Sequence, residues 1–270
     1  MKFFKLIFDF YINSSIHVAL SCYALVRMTQ HMFHIPYENS IAYFVFFGTV
    51  VGYNFVKYDA LARKQKVQMR YELKAIALWS FCCLLLVGYY FFQLELITQI
   101  VAFVFLSFTL LYTLPFFPNR RNARNWAGVK IYIVALCWVG VTLILPILNA
   151  EVTFTTDFYL KCMQRFILIF VLILIFEILD LANDDPHLQT VPQQIGVKRT
   201  KNLGLALIIL FFFLEFLKSN FEKNQIIVNV ILIVLVGLFL IFANEKRSKY
   251  YTSFWVESIP ILWWLMVVFL

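Results

Sequence analysis

The fold of this chain is decided by Phe166–Phe176, an unbroken apolar run, together with the stretch directly after it: Glu177-Ile-Leu-Asp180-Leu-Ala-Asn-Asp184-Asp185-Pro-His-Leu-Gln-Thr190-Val-Pro192. Carboxylates at the end of a membrane-length apolar helix are costly, and several together are more so. If the helix continues through Asp184, then Glu177, Asp180 and Asp184 fall at i, i+3 and i+7 on one stripe. Like charges on one stripe repel unless a cation sits between them. Carboxylate oxygens at this spacing suit Mg²⁺, which takes few protein ligands and keeps places for water and substrate phosphates. The spacing also suits a solvated acidic helix end at a membrane surface.

Outward from this stretch the chain is apolar almost throughout. Of 270 residues, 62% are hydrophobic and 14% charged, which few soluble domains resemble. Apolar stretches of about 20 residues recur, each long enough to cross a bilayer as a helix. The class is an all-α polytopic membrane protein. Nine spans are expected, near 8–30, 40–58, 74–93, 96–115, 128–148, 159–180, 202–218, 225–243 and 253–270. The gaps between them are too short for a separate soluble domain. The segment after Lys2 and Lys5 shows no clear small-residue cleavage site and is expected to remain as the first span.

Basic residues alternate with this span count. They cluster after span two (Lys57, Arg63, Lys64, Lys66, Arg70, Lys74), span four (Arg120, Arg121, Arg124, Lys130), span six (Lys198, Arg199, Lys201) and span eight (Lys246, Arg247, Lys249). The gaps after spans one, three and five contain no Lys or Arg, and only the gap after span seven, with Lys218 and Lys223, blurs the pattern. By the positive-inside rule the N-terminus is cytoplasmic and the C-terminus lies on the opposite side. Topology therefore accounts for the net charge of +8 better than nucleic-acid binding does. The five cysteines all fall in apolar segments without metal-ligand spacing, and read as small hydrophobes.

Polar residues inside the spans are the remaining candidates. Asp9, Asn13 and His17 lie at i, i+4 and i+8, one polar stripe on span one. Such a stripe contacts substrate in a water-filled cavity or joins helices by hydrogen bonds. Span two ends in Gly52-Tyr-Asn54-Phe-Val-Lys57-Tyr58-Asp59, with Arg63 a turn later. Gly52 would allow close helix approach. The basic cluster reads as a topology signal, a contact to anionic lipid or a phosphate clamp. Glu215 and Glu257 are further intramembrane acids and, as such, site candidates.

The span count, the inside N-terminus and the acidic stretch after span six resemble the UbiA superfamily of intramembrane prenyltransferases. That family's second aspartate motif runs approximately D-I-x-D-x-x-x-D, then K-T-x-P and a glycine. Here the register reads Glu177-Ile-Leu-Asp180-Leu-Ala-Asn-Asp184, then Gln189-Thr190-Val-Pro192 and Gly196. Tyr112-Thr-Leu-Pro115, with the basic loop through Arg124 to Lys130, resembles the family's segment between spans four and five. The first motif, approximately N-D-x-x-D-x-x-x-D, is degraded. Asn54 is followed by Phe55, Tyr58 and Ala62 at the aspartate positions, with Asp59 one place out of register.

The resemblance covers essentially the whole chain. It implies one UbiA-like transmembrane domain over 1–270, with helices around a central cavity. It further implies transfer of a polyprenyl group from its diphosphate to a hydrophobic acceptor with Mg²⁺ assistance. The metal ligands would be Glu177, Asp180 and Asp184, with Asp180 and Asp184 central to catalysis. Substrate contacts would come from Asn54, Lys57, Asp59, Arg63, Tyr112, Arg124, Lys130 and Thr190, joined by Asn13 and His17. Lys57, Arg63, Arg124 or Lys130 would replace part of the missing metal charge, since basic side chains match phosphate oxygens. Two alternatives stand beside this reading. One is a UbiA-like protein that binds a prenyl lipid or partner without transfer. The other is a transporter whose intramembrane acids line a cation path.

Overall fold

The computed structural model describes residues 2–64, 71–114, 128–219 and 223–270, with side chains described from 3–58 in the first of these. The described residues are helical with short connections. In order they are α1 (Lys2–Asn13), α2 (Ile16–Met32), α3 (Asn39–Lys64), α4 (Tyr71–Phe91), α5 (Leu96–Thr113), α6 (Val129–Asn149), α7 (Thr156–Asp180), the short α8 (Val191–Ile195), α9 (Val197–Leu214), α10 (Lys223–Phe242) and α11 (Tyr251–Phe269). Eight of these, α3–α7 and α9–α11, are long and apolar enough to cross a membrane. Every backbone group in such a segment must be paired within the segment, which only a helix achieves alone.

Span one is the element that differs from its sequence reading. It is two helices, broken at Ser14–Ser15, where Ser15 takes a left-handed φ of 61°. Asp9, Asn13 and His17 therefore do not form one continuous helical stripe. Asp9 accepts from the Tyr250 hydroxyl, while His17 faces Tyr11, Phe254 and Ser258.

Helix α7 is the axis of the bundle. Of its apolar window, 72% is buried, against 11% for α4, whose Leu78 and Leu85 are exposed. α7 packs against α6, α9 and α10, and α2 packs against α3 and α11. Glycine allows close approach at Gly140, where an added Cβ would lie 2.1 Å from the Phe105 ring. Gly52, expected to serve the same purpose, has nothing within 4 Å of its Cβ position.

Two departures from α geometry mark the interior. The backbone is π-helical at Gly140–Ile144 and at Tyr251–Val256. Such turns release backbone carbonyls from the regular ladder and re-aim side chains. The Thr142 carbonyl accepts from Arg165 and Thr29, and the Phe254 carbonyl from His17.

The bundle has two distinct ends. At one, Glu38 bonds Asn149 and Ser40, Asn149 bonds the Glu95 N–H, and Asn224 bonds the Leu270 carbonyl. At the other lie the break in span one, bonded by Asn54 and Tyr58, and the Asp9–Tyr250 contact.

Candidate functional site

The chain turns sharply after α7 because Pro186 cannot continue the helix. Asp185, just before it, is extended at ψ 128°, as a residue preceding proline prefers. One further helical bond survives past the end, from the Asp184 N–H to the Asp180 carbonyl at 2.8 Å. Asp180 and Asp184 thus remain one turn apart. Asp180 is exposed. Asp184 is half-buried, and its Oδ2 is shielded from solvent with no hydrogen-bond partner among the described residues.

Glu177 parts company with them. It is 2% exposed, and its Oε2 accepts from the Val191 N–H at 3.1 Å. The expected stripe of three is therefore divided: one acid ties α7 to α8 and two remain at the end of α7. Thr190 is also 2% exposed and begins α8, its N–H donating to Gln193 Oε1 at 2.9 Å. Lys130 stands in the first turn of α6, within electrostatic range of both Glu177 and Asp180. Gly128, at φ 70°, lets the chain enter α6 there while its N–H reaches the Leu188 carbonyl at 3.4 Å.

Residues near the end of α3 meet the break in span one. Asn54 Nδ2 donates to the Ser14 carbonyl at 3.0 Å and to Ser80 Oγ at 2.8 Å. Its Oδ1 accepts from Ser15 Oγ at 2.8 Å. The Tyr58 hydroxyl donates to the Asn13 carbonyl at 2.9 Å, and Lys57 Nζ to Ser15 Oγ at 3.2 Å. The last carbonyls of a helix lack intrahelical partners, and these side chains supply donors for them. Asn54, expected as a substrate contact, is turned toward α1, α2 and α4. The Lys57 side chain stays exposed.

The partner of Tyr58 is a carbonyl, which a carboxylate at this position would repel. Tyr58→Phe is expected to lower stability by about 1 kcal/mol, and Tyr58→Asp by about 1–3 kcal/mol, the range for a lost or unsatisfied hydrogen bond. Unfolding midpoints in detergent check the order, which fails if the aspartate variant equals or exceeds wild type.

Of the other expected site residues, Tyr112 is 6% exposed and within electrostatic range of Tyr53, whose hydroxyl accepts from Trp138 Nε1 at 2.8 Å. Asp59 and Arg63 lie on α3, but their side chains are outside the described residues, as is Arg124 altogether. Tyr53 and Trp138 carried no sequence signal, being two aromatics among many. Glu215 is enclosed in an ion cluster with Lys161 and Lys218, distant in sequence from both motifs.

Among the described residues no three His, Cys, Asp or Glu side chains converge on a metal position. The donor set fits a single divalent ion held by Asp180 and Asp184, for which the unpartnered Asp184 oxygen is suited. Asn54, whose Oδ1 already accepts from Ser15, and Tyr58, whose hydroxyl donates to the Asn13 carbonyl, do not fit a second.

The chain is a multi-pass helical bundle with an acidic end on its central helix and Lys130 within electrostatic range of it. No family model and no curated protein matches the chain, so the likeness is one of structure. The chain aligns over 99% of its length with 96% of a structure described as giving insight into digeranylgeranylglyceryl phosphate synthase in membranes, at TM-score 0.58 and 15% identity. It aligns over 94% of its length with 97% of a UbiA homolog from Archaeoglobus fulgidus bound to Cd²⁺, at TM-score 0.57 and 12% identity. The chain shares the fold of these two structures, one of them a UbiA homolog.

Proposed function

We propose that the protein is an intramembrane prenyltransferase that works with one acidic motif. Its donor is a polyprenyl diphosphate and its acceptor is hydrophobic. The observation that carries this reading is the end of α7, where Asp180 is exposed, one oxygen of Asp184 is unpartnered, and Lys130 lies within electrostatic range of Asp180. Asp180 and Asp184 hold Mg²⁺ in this reading. When bound, the ion neutralises charge that develops on the leaving diphosphate. Lys130 and the exposed Lys57 supply positive charge that the missing carboxylate–metal element would otherwise bring, with Arg63 and Arg124 as further phosphate contacts. Glu177 acts by fixing α8 rather than by ligation. The apolar helices enclose the prenyl tail, and the basic end of the bundle faces the cytoplasm.

Binding of a non-hydrolysable prenyl diphosphate to detergent-purified protein tests this. Binding is expected to require Mg²⁺ and to weaken about 10- to 100-fold in Asp180→Asn and in Asp184→Asn, about 1.4–2.8 kcal/mol each. Folded protein that binds no donor at any Mg²⁺ concentration overturns it.

A second reading is favoured by the hydrogen bonds that tie Asn54, Lys57 and Tyr58 to the break in span one. With that element given over to structure, the bundle binds a prenyl lipid without transferring it. Binding of the prenyl alcohol as tightly as the diphosphate, with no dependence on Mg²⁺, is its signature.

A further inference from the structure

Helix α1 is more than a span needs. Residues 2–32 as one helix would be about 46 Å long, against about 30 Å of hydrocarbon in a bilayer. α2 alone, with 17 residues, covers about 25 Å of that. The left-handed Ser15 cannot continue a helix, so the break at Ser14–Ser15 frees α1 from the line of α2.

The two halves of α1 differ. The second half is fixed to the bundle. The Phe8 ring lies 5.2 Å from that of Phe254 and 5.6 Å from that of Tyr250, Asp9 accepts from the Tyr250 hydroxyl, and Ile12 is buried. Tyr58 and Asn54 then hold the Asn13 and Ser14 carbonyls. The first half stands clear of it. Phe3 is 69% exposed and Phe4 77%, and Leu6 and Ile7 are exposed as well.

The residues of α1 define what covers that half. Lys5, Asp9 and Asn13 follow at i, i+4 and i+8 on one stripe, and every other residue from Phe3 to Ile12 is apolar or aromatic. Such a helix, with a narrow polar stripe and a wide apolar face, suits the boundary between headgroups and acyl chains. The charge around it is positive. Lys249 Nζ lies 3.8 Å from Asp9, and Lys246 and Arg247 precede it in the same turn, exposed like Lys5. The acids among them are Asp9, already engaged by Tyr250 and Lys249, and the exposed Glu245. A soluble anion would match the cations and leave the phenylalanines in water. A neutral leaflet would cover the phenylalanines and leave the cations without counter-charge. An anionic leaflet meets both. A second copy of the same face would bring like charges together.

We propose that the first half of α1 lies in the surface of an anionic leaflet, with Phe3, Phe4, Leu6 and Ile7 among the acyl chains and Lys5, Lys246, Arg247 and Lys249 at the phospholipid headgroups. The surface is separate from the acidic end of α7 and does not depend on the transfer reading. Anchored at Asp9 and at the Ser14–Ser15 break, α1 ties the end of α3 to the charge of the surrounding lipid.

Hydrogen–deuterium exchange of the full chain in lipid nanodiscs tests this. Peptides covering α1 are compared in discs of phosphatidylcholine and in discs of phosphatidylcholine mixed three to one with phosphatidylglycerol. Amides in the first half of α1 are expected to exchange about 10-fold more slowly in the anionic discs, with α7 peptides the same in both. Lys5→Glu combined with Lys246→Glu is expected to remove the difference. Phe3→Ser combined with Phe4→Ser is expected to speed exchange of α1 in both discs, and unchanged α7 peptides report that each variant is folded. Equal exchange in the two discs, a difference that survives the charge reversals, or serine variants that exchange like wild type overturn the proposal. Slowing by inorganic phosphate in phosphatidylcholine discs identifies a free-anion site and overturns it too. So does slowing that grows with protein concentration in detergent, which identifies a second copy on this face.

Discussion

Glu215→Leu is expected to lower the stability of the bundle by about 3–5 kcal/mol, the range for removing one partner of a buried ion pair. Glu215 is 3% exposed, and its Oε2 accepts from Lys161 at 3.4 Å, Gln164 at 2.9 Å and Asn229 at 2.9 Å, while Lys218 donates to Oε1. These donors come from α7, from α10 and from the turn after α9. A leucine leaves two ammonium groups enclosed with no counter-charge. Removing a second charge is the discriminating control: Glu215→Leu combined with Lys161→Met is expected to regain part of the loss. The Gln164 and Asn229 side-chain oxygens, which have no partner of their own, remain as acceptors for Lys218. Thermal unfolding in detergent reads both variants. A single variant as stable as wild type, or a double variant less stable than the single, contradicts the argument.

The cluster also shows where sequence reading stops. An acid in an apolar span announces itself by its cost, and Glu215 and Glu257 stood out equally on that ground. What separates them is the partners that folding brings, and apart from Lys218, at i+3 from Glu215, those come from residues tens or hundreds of positions away. Lys161 and Asn229 have no local spacing that points to Glu215. The spans were legible because hydropathy over about 20 residues is a local quantity set by bilayer thickness. The broken span one was not, since Ser14–Ser15 lies inside an apolar pattern that a single helix would also satisfy. Its break is stabilised by donors from Asn54 and Tyr58, which contact it across the fold. The acidic end of α7 was legible as a group, but not the diversion of Glu177. The motif spacing puts three carboxylates on one stripe, and Glu177 leaves the set because its Oε2 accepts from the Val191 N–H, a partner that only the turn after α7 brings back to it.

Arg165 makes the opposite case from Glu215, and comparing its variants separates volume from charge. It is 2% exposed, midway along α7, and no ion-pair partner stands within 4.0 Å among the described residues. One nitrogen, Nη1, donates to Thr29 Oγ1 at 2.7 Å, the Thr142 carbonyl at 2.8 Å, and the Leu25 carbonyl and Thr142 Oγ1 at 3.3 Å each. The guanidinium lies 6.0 Å from the Trp263 ring. The side chain thus joins α2, α6, α7 and α11, and the π-helical turn at Gly140–Ile144 is what offers it the Thr142 carbonyl. Arg165→Ala is expected to cost about 3–5 kcal/mol, because it leaves a cavity where one of the largest buried side chains had been. Arg165→Met restores most of the volume. No acid is orphaned when this cation is removed, and the Thr142 carbonyl keeps its bond from Thr29. The methionine variant is therefore expected to cost clearly less than the alanine variant, as buried charges replaced by well-packed apolar groups often do. If methionine proves as damaging as alanine in the same unfolding assay, the guanidinium's hydrogen bonds, rather than its volume, hold the four helices together.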